Sequence, residues 1–367
     1  MPVPAAIDLS RYGPGSERPY VILGGGLAGS FAAAEGVMRG HSILLIDHPQ
    51  PYGASQVAAG LYNTVTGQRA ARTWQADLLT DTLLAFFAQP WAAPLRPYLH
   101  TQSVYRPFRT VAELNEWSAF AGDHPAVLQL HPPRWPGRIR NELGGMEVLR
   151  TGWLDVPALL PRLHALLAET GRFQRLDYLL PYTAIDPAAG SLRIGAEVLP
   201  YAAIIFAEGV GVLQNPWWPG HRQIQPLKGQ LLSLRIADLD LPYTLVNKLY
   251  LAQRAPGQFY LGATYEPRYT TVAPTEAGAH ELLEQLRARI LLPPLPSLEP
   301  MAHLSGLRPT SPDRRPLLGR HPHLPFYFLN GLGTKGVLQA PWCAQQLWAH
   351  LAGAALPAAI DLFRFRA

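Results

Sequence analysis

A glycine-rich stretch near the start of the chain, residues 20–47, limits the possible folds more than any other feature. An apolar run ends in Gly24, Gly26 and Gly29, which have the spacing G-x-G-x-x-G. A small-residue helical pattern then leads to a second apolar run that closes at Asp47. The order strand, tight turn, helix, strand and acid is typical of a dinucleotide-binding site, although the glycines alone are also compatible with a structural turn.

Each part of this stretch has a physical role in such a site. Gly24 allows the turn, Gly26 lets a pyrophosphate approach the helix N-terminus, and Gly29 lets the helix pack close to the strand. Asp47 accepts hydrogen bonds from a ribose. The predicted dinucleotide-binding residues are Gly24, Gly26, Leu27, Ala28, Gly29, Asp47 and His48.

The composition indicates a globular protein with more than one core. A chain of 367 residues with 48% hydrophobic residues predicts two packed domains. The net charge of +5 comes from scattered basic residues, so a nucleic-acid surface is not indicated. The single cysteine, Cys343, suits a reducing compartment. The sequence has neither a signal-peptide pattern nor an apolar run of membrane-spanning length, and we expect a cytoplasmic protein.

A second glycine cluster lies near the C-terminal end of the chain. Gly331, Gly333 and Gly336 follow a predicted strand at 325–329 and precede a predicted helix at 336–352. No second strand ending in an acid follows, so this is not another dinucleotide site. Its helix N-terminus instead presents N–H groups to an anionic group. A flavin fits, because reduction places negative charge on its pyrimidine edge, and we expect FAD.

The order of motifs resembles the D-amino-acid-oxidase-type FAD oxidoreductases, including glycine oxidase and sarcosine oxidase. The motifs are VILGGGLAG, ASQVAAGL, PLKGQLLSL, YLGATYE, GLRPTSPDRRPLLG and NGLGTKGVLQAP. The resemblance implies an α/β protein, α+β overall. A doubly wound, Rossmann-like FAD domain, discontinuous in sequence, is joined by an antiparallel-sheet substrate domain. We expect a flexible lead-in at 1–18, the FAD-binding domain at 19–88, 150–222 and 301–367, and the substrate domain at 89–149 and 223–300.

The resemblance also implies site residues. Ser55, Ala58, Ala59, Gly60 and Leu61 match the loop along the flavin, and Gly209 ends a strand of the nucleotide-binding sheet. The loop at the pyrimidine edge of the flavin matches Leu332, Gly333, Thr334, Lys335, Gly336 and Val337. Arg308 falls at the position of the arginine that holds a substrate carboxylate. Tyr250 and Tyr265 fall on strands that close the substrate pocket, and Lys335 at a lysine that faces the substrate.

Several of these residues have a second interpretation. Arg308 is also compatible with a surface ion pair, Tyr250 with a core tyrosine, and Lys335 with a side chain that covers the helix start. The small residues 58–60 also suit a tight loop. Arg69 and Arg72 follow that loop and are interpreted as surface residues.

The sequence departs from the family pattern at three positions. Gly306 stands where sarcosine oxidases carry a flavin-linking cysteine, so non-covalent FAD is expected. Thr334 replaces the second pocket arginine of glycine oxidase, which argues against glycine as substrate. Glu208 has no explanation from the sequence.

The expected activity is oxidation of a C–N bond in a small amine or amino acid, with hydride transfer to flavin and O2 or another electron acceptor. The alternative is a flavoprotein that acts on a modified tRNA base or another large partner. His321 and His323 are interpreted as loop residues and not as metal ligands.

Overall fold

The computed structural model describes residue 12 and residues 17–48, 52–66, 71–133, 138–220, 223–291 and 297–365. Most of the lead-in, together with Arg69, lies outside the described residues. The chain divides into two compact units. The first unit comprises Met1–Gln56, Val156–Pro226 and Arg308–Ala367, and the second comprises Val57–Asp155 and Leu227–Leu307.

A six-stranded sheet forms the centre of the first unit. Its strand order is β11-β2-β1-β15-β22-β21, and all neighbouring pairs are parallel except β21 with β22. The strands are β1 (Tyr20–Leu23), β2 (Ile43–Asp47), β11 (Phe173–Asp177), β15 (Ala203–Phe206), β21 (Leu317–Arg320) and β22 (Phe326–Asn330). The near-continuous apolar sequences of the parallel strands are expected for a sheet that is covered on both faces.

Helices cover one face of this sheet. They are α1 (Leu27–Met38), α4 (Val156–Ala168) and α6 (Gly336–Leu351). The helix α1 lies directly on β1 and β2, because a Cβ at Gly29 would lie 3.2 Å from Cγ2 of Ile22 and one at Gly36 would lie 2.8 Å from Cδ1 of Ile43. Both α4 and α6 pack against α1.

A small antiparallel sheet covers the other face. Its strands are β12 (Ile185–Asp186), β13 (Ser191–Ile194) and β14 (Glu197–Pro200). Leu192 and Leu199 of this sheet join Val21 and Leu44 in one buried cluster. A three-stranded meander therefore takes the place of the second helical layer of a doubly wound sheet.

The second unit is built on an eight-stranded sheet with the order β20-β16-β19-β18-β17-β7-β9-β8. Its neighbours are antiparallel in most pairs, but β17 and β7 are parallel. The strands are β7 (Val104–Pro107), β8 (Leu128–His131), β9 (Gly145–Val148), β16 (Gln225–Ile236), β17 (Thr244–Asn247), β18 (Leu249–Ala255), β19 (Gln258–Gly262) and β20 (Leu298–Thr310). The last residues of β20, from Arg308, belong to the first unit.

Smaller elements complete the second unit. The helices are α2 (Ala76–Ala88), α3 (Val111–Gly122) and α5 (Glu276–Arg289). Short strands are β3 (Leu61–Tyr62), β4 (Val65–Thr66), β5 (Ala71–Arg72), β6 (Leu99–Thr101) and β10 (Gly152–Leu154). Thr275 caps α5 by accepting a hydrogen bond from the N–H of Gly278 at 3.2 Å, and Leu282 and Leu286 of that helix join the buried cluster over β16, β18 and β19.

The predicted fold class is confirmed. The boundaries of the two units differ from the expected domain boundaries in several stretches. Residues 150–155 and 301–307, which were expected in the FAD-binding domain, fall in the second unit, and residues 223–226, which were expected in the substrate domain, fall in the first. Residues 57–88, also expected in the FAD-binding domain, fall in the second unit. They include β3, which pairs with β10. Within the described residues, no helix combines the length and apolar character needed to cross a bilayer.

Candidate functional site

The turn after β1 has the backbone geometry of a dinucleotide-binding site. Gly24 has φ of +105°, and a Cβ there would lie 2.5 Å from the carbonyl oxygen of Ala207. A Cβ at Gly29 would overlap the carbonyl oxygen of Gly24. Only glycine fits at these two positions, so the helix N-terminus stays close to the ends of β1 and β15.

Asp47 and Ser55 hold this turn in place. The Oδ1 atom of Asp47 accepts a hydrogen bond from the N–H of Gly25 at 2.8 Å. The hydroxyl of Ser55 accepts one from the N–H of Leu27 at 3.0 Å, at the first position of α1. The structure thus brings together four predicted residues, Asp47, Ser55, Gly26 and Leu27. His48 follows the strand and is exposed.

A buried hydrogen-bond chain supports the turn from behind. His164 of α4 lies 2.8 Å from the hydroxyl of Ser30, which donates to the carbonyl oxygen of Gly25 at 3.0 Å. Arg175 of β11 lies 2.9 Å from Nδ1 of His164 and 3.4 Å from Oδ2 of Asp47. Burial, and then the charge of Arg175, lower the pKa of His164 to about 4, so its ring is neutral.

Sequence reasoning missed His164 and Arg175, because both are far along the chain from the glycines they support. The only available signal is the pairing of strands. Arg175 lies two residues from Asp177, which is in register with Asp47.

The structure also gives Glu208 a set of partners. Its carboxylate accepts hydrogen bonds from the hydroxyl of Tyr182 at 2.7 Å and from Nδ2 of Asn215 at 2.9 Å. Burial raises the pKa of Glu208 to about 7, against the lowering effect of these donors. Gly209 follows with φ of +56°, and its carbonyl oxygen accepts a hydrogen bond from Nδ2 of Asn330 at 2.8 Å.

The second glycine cluster is connected to the strand that carries Arg308. The N–H of Gly333 donates to the carbonyl oxygen of Pro309 at 2.9 Å, and Leu332 forms an antiparallel bridge with Thr310. Lys335 is the N-cap residue of α6, and its N–H donates to the carbonyl oxygen of Leu332 at 2.9 Å. Gly336 and Val337 begin the helix, and Thr334 is exposed. The loop and the end of β20 therefore form one substructure.

In the second unit, a half-buried arginine fixes the loop predicted to lie along the flavin. The guanidinium of Arg254 donates to the carbonyl oxygen of Ala59, and it lies 4.0 Å from the ring of Trp153 and 4.9 Å from that of Tyr260. Burial lowers the pKa of Arg254 to about 10, so it keeps its charge at neutral pH. Sequence reasoning did not select this residue.

The next residue of this loop, Gly60, is held by the backbone of Leu154. Gly60 has φ of +70°, and a Cβ there would overlap the carbonyl oxygen of Leu154. The N–H of Leu154 donates to the carbonyl oxygen of Gly60 at 3.0 Å, and Leu61 opens β3. Ala58 and Ala59 are partly exposed.

Of the two predicted pocket tyrosines, the structure places one on a strand. Tyr250 lies on β18 opposite Gly262 of β19, and a Cβ at Gly262 would lie 2.5 Å from its hydroxyl oxygen. The prediction that Tyr265 lies on a strand is wrong, because β19 ends at Gly262 and the side chain of Tyr265 is 56% exposed.

Other candidates have structural explanations. Arg72 pairs with Asp77 at 2.6 Å. Nδ1 of His321 accepts hydrogen bonds from the N–H groups of His323 and Leu324 at 3.2 Å each, which is the geometry of a turn. Cys343 is fully buried in α6, where burial raises the pKa of its thiol.

The residues at the turn between β1 and α1, together with Asp47 and Ser55, fit the ADP half of FAD. A Cβ at Gly26 would lie 2.9 Å from Oγ of Ser55, so glycine leaves room for a pyrophosphate beside the start of α1. Asp47 stands at the end of β2, where a ribose acceptor is needed. A parallel sheet with such a turn defines a dinucleotide-binding protein.

Comparison with protein families gives the class more specifically. Residues 19–349 match the DAO family, described as FAD dependent oxidoreductase. The chain belongs to this family. The expected cofactor, FAD, is confirmed by this family membership.

The curated relatives include glycine oxidases and tRNA-modifying bifunctional proteins. A glycine oxidase from Bacillus licheniformis is 30% identical over 175 residues, which is 44% of this chain and 44% of that protein. The tRNA 5-methylaminomethyl-2-thiouridine biosynthesis bifunctional protein of Idiomarina loihiensis is 24% identical over 95% of this chain and 58% of its own length. The matched part therefore spans less than two thirds of either protein.

Solved structures share the fold. The glycine oxidase of Geobacillus kaustophilus has a TM-score of 0.76 at 22% identity and covers 96% of this chain and 100% of its own. The iminodiacetate oxidase of Chelativorans sp. BNC1 has a TM-score of 0.73 at 20% identity, with 94% and 98% covered.

Proposed function

We propose that this protein oxidises the C–N bond of a small amine or amino acid, with FAD held non-covalently. The bound flavin supplies the acceptor for the hydride that leaves the carbon next to the nitrogen. The chain supplies positioning, because the substrate must present that C–H bond with its amine neutral and its carboxylate fixed.

One observation supports this proposal most directly. The residues Arg308 and Pro309 lie consecutively at the end of β20, and the carbonyl oxygen of Pro309 accepts a hydrogen bond from the N–H of Gly333 at 2.9 Å. The proposed carboxylate anchor and the loop proposed for the pyrimidine edge of the flavin are thus held together. A guanidinium at that position offers two parallel hydrogen bonds to a carboxylate.

Other residues of the proposed site have narrower roles. Tyr250 is proposed to line the substrate pocket, and Lys335, at the N-cap of α6, to face the substrate. Tyr265 remains a candidate as an exposed loop residue and not as a strand residue. Non-covalent attachment follows from Gly306, which offers no sulfur to the flavin.

The test is anaerobic bleaching of the flavin by a panel of amino acids and N-methyl amines. We expect at least one carboxylate-bearing amine to bleach the wild-type protein. Arg308→Ala should keep the bound flavin. It should weaken the binding of that substrate by ~2–5 kcal/mol, the loss usual when one partner of a buried charge pair is removed. Arg193→Ala, an exposed arginine of β13, is the matched control.

A tRNA substrate is the second candidate. It is supported by the match to the tRNA-modifying bifunctional protein, which extends over 95% of this chain, and by the sequence pI of about 9.3. Binding of tRNA that persists at moderate salt, without bleaching by any small amine, would favour it. An unchanged KM in Arg308→Ala would show that Arg308 does not bind the substrate carboxylate.

A further inference from the structure

The second unit contains a cavity with an unusual concentration of positive charge, which we name the cationic pocket.

 The cationic pocket has a volume of about 200 Å³. It is lined by Arg106, Pro107, Arg109, Glu113, Trp117, Val246, Asn247, Lys248 and Arg289.

Four elements of the second unit meet at this pocket. The parallel neighbours β7 and β17 end there, α3 begins beside it, and α5 ends at Arg289. Its volume is below the ~300–1,000 Å³ of pockets for drug-sized ligands, so it suits one small group.

The charges that line the pocket are unbalanced. Four of the nine lining residues are cationic, and Glu113 is the one carboxylate among them. The carboxylate of Glu113 also accepts a hydrogen bond from the backbone N–H of Arg109 at 2.9 Å, at the first turn of α3. Burial, and then the charge of Arg109, lower the pKa of Arg289. The fold therefore holds like charges close together, an arrangement that a bound anion would stabilise.

The positions of these groups are fixed by the surrounding structure. Arg106 is 4% exposed, its Nη1 donates to the carbonyl oxygen of Val65 at 3.5 Å, and its guanidinium lies 4.8 Å from the ring of Trp117. Lys248 forms the tight turn between β17 and β18 with φ of +66°. Nδ2 of Asn247 donates to the carbonyl oxygen of Arg289 at 3.4 Å. The pocket is therefore built on regular elements and not on loops alone.

We propose that the cationic pocket binds the dianionic phosphate group of a small phosphomonoester. Guanidinium groups form paired hydrogen bonds with phosphate oxygens, and a dianion offsets more of the local charge than a carboxylate does. The ring of Trp117 gives the carbon part of the ligand an apolar surface. The pocket shares no residue with the proposed flavin and substrate groups, so this inference is independent of the proposed function.

Calorimetric titration of the FAD-loaded protein at low ionic strength tests the proposal, with inorganic phosphate, phenyl phosphate and acetate as probes. We expect saturable binding of both phosphates and weaker binding of acetate. Arg289→Gln and Arg109→Gln should each weaken phosphate binding by about 10–100-fold, the equivalent of one charged hydrogen bond of ~1.5–3 kcal/mol. Glu113→Gln should strengthen it.

The matched control is Arg287→Gln, which removes the same charge from an exposed position two residues away on α5. Equal losses in Arg287→Gln and Arg289→Gln would overturn the proposal, as would acetate binding as tight as phosphate binding. An oligonucleotide without terminal phosphates separates the two sources of phosphate. Binding of that oligonucleotide, lost in Arg289→Gln while the small phosphates fail to bind, would overturn the assignment to a small molecule.

Discussion

Nη1 of Arg175 lies 2.9 Å from Nδ1 of His164, and this contact fixes the tautomer of the histidine. An arginine can only donate, so Nδ1 is the acceptor and Nε2 carries the proton. Nε2 then donates to the hydroxyl of Ser30 at 2.8 Å. The direction of every hydrogen bond behind the dinucleotide turn follows from this one contact.

His164 should make the protein less stable as the pH falls. Its pKa is about 4 in the folded state, against an ordinary value of 6.5, so between these values the unfolded state binds the extra proton. The contribution to the free energy of unfolding is complete above pH 6.5 and decreases by about 3 kcal/mol towards pH 4. Denaturant unfolding measured across this range should show a smaller decrease in His164→Gln.

His280→Gln is the control for this measurement, because the side chain of His280 is 74% exposed. It should leave the pH dependence unchanged. If His164→Gln kept the wild-type dependence of the unfolding free energy on pH, the ring of His164 would not be held neutral in the folded protein.

Glu208 should have the opposite effect on stability. Its pKa is raised to about 7 by burial, so the folded state binds the proton more tightly than the unfolded state between its ordinary pKa of 4.5 and 7. Its stabilising contribution is complete below pH 4.5 and is lost as the pH rises through 7. Glu208→Gln should remove this loss in the same unfolding measurements, whereas Glu197→Gln, at an exposed position of β14, should not.

Gly29→Ala tests the close approach of α1 to the turn. The added Cβ would overlap the carbonyl oxygen of Gly24, so we expect loss of bound FAD and a lower melting temperature. Gly122→Ala, at the end of α3, meets no atom within 4 Å and should keep both properties. Full retention of flavin colour in Gly29→Ala would contradict the proposed packing.

Arg254→Met tests the support of the proposed flavin loop. Without the guanidinium of Arg254, the carbonyl oxygen of Ala59 loses a charged hydrogen-bond donor, worth ~1.5–3 kcal/mol. The Kd for FAD should therefore rise about tenfold. Arg254→Lys should restore part of the affinity. Ultrafiltration separates free from bound flavin and so measures this affinity. Arg235→Met, at an exposed position of β16, is the control.

The sequence predicted those parts of the site that depend on local geometry. Gly24, Gly29 and Asp47 are recognisable because a tight turn, a close helix and a strand-end acid have fixed spacings. His164 and Arg175 were not predictable in this way, since their partners lie more than 100 residues away in the chain. Tyr265 was misplaced because β19 ends at Gly262, three residues before it.

The packing of α1 against α6 has a consequence for biosynthesis. Nε1 of Trp348 donates to the carbonyl oxygen of Ala32 at 2.7 Å, and the ring occupies the space that a side chain at Gly36 would fill. The N-terminal helix therefore lacks its final neighbour until residue 348 has left the ribosome. Because contacts between residues so distant in sequence form slowly, we expect α1 to acquire its complete packing late in folding.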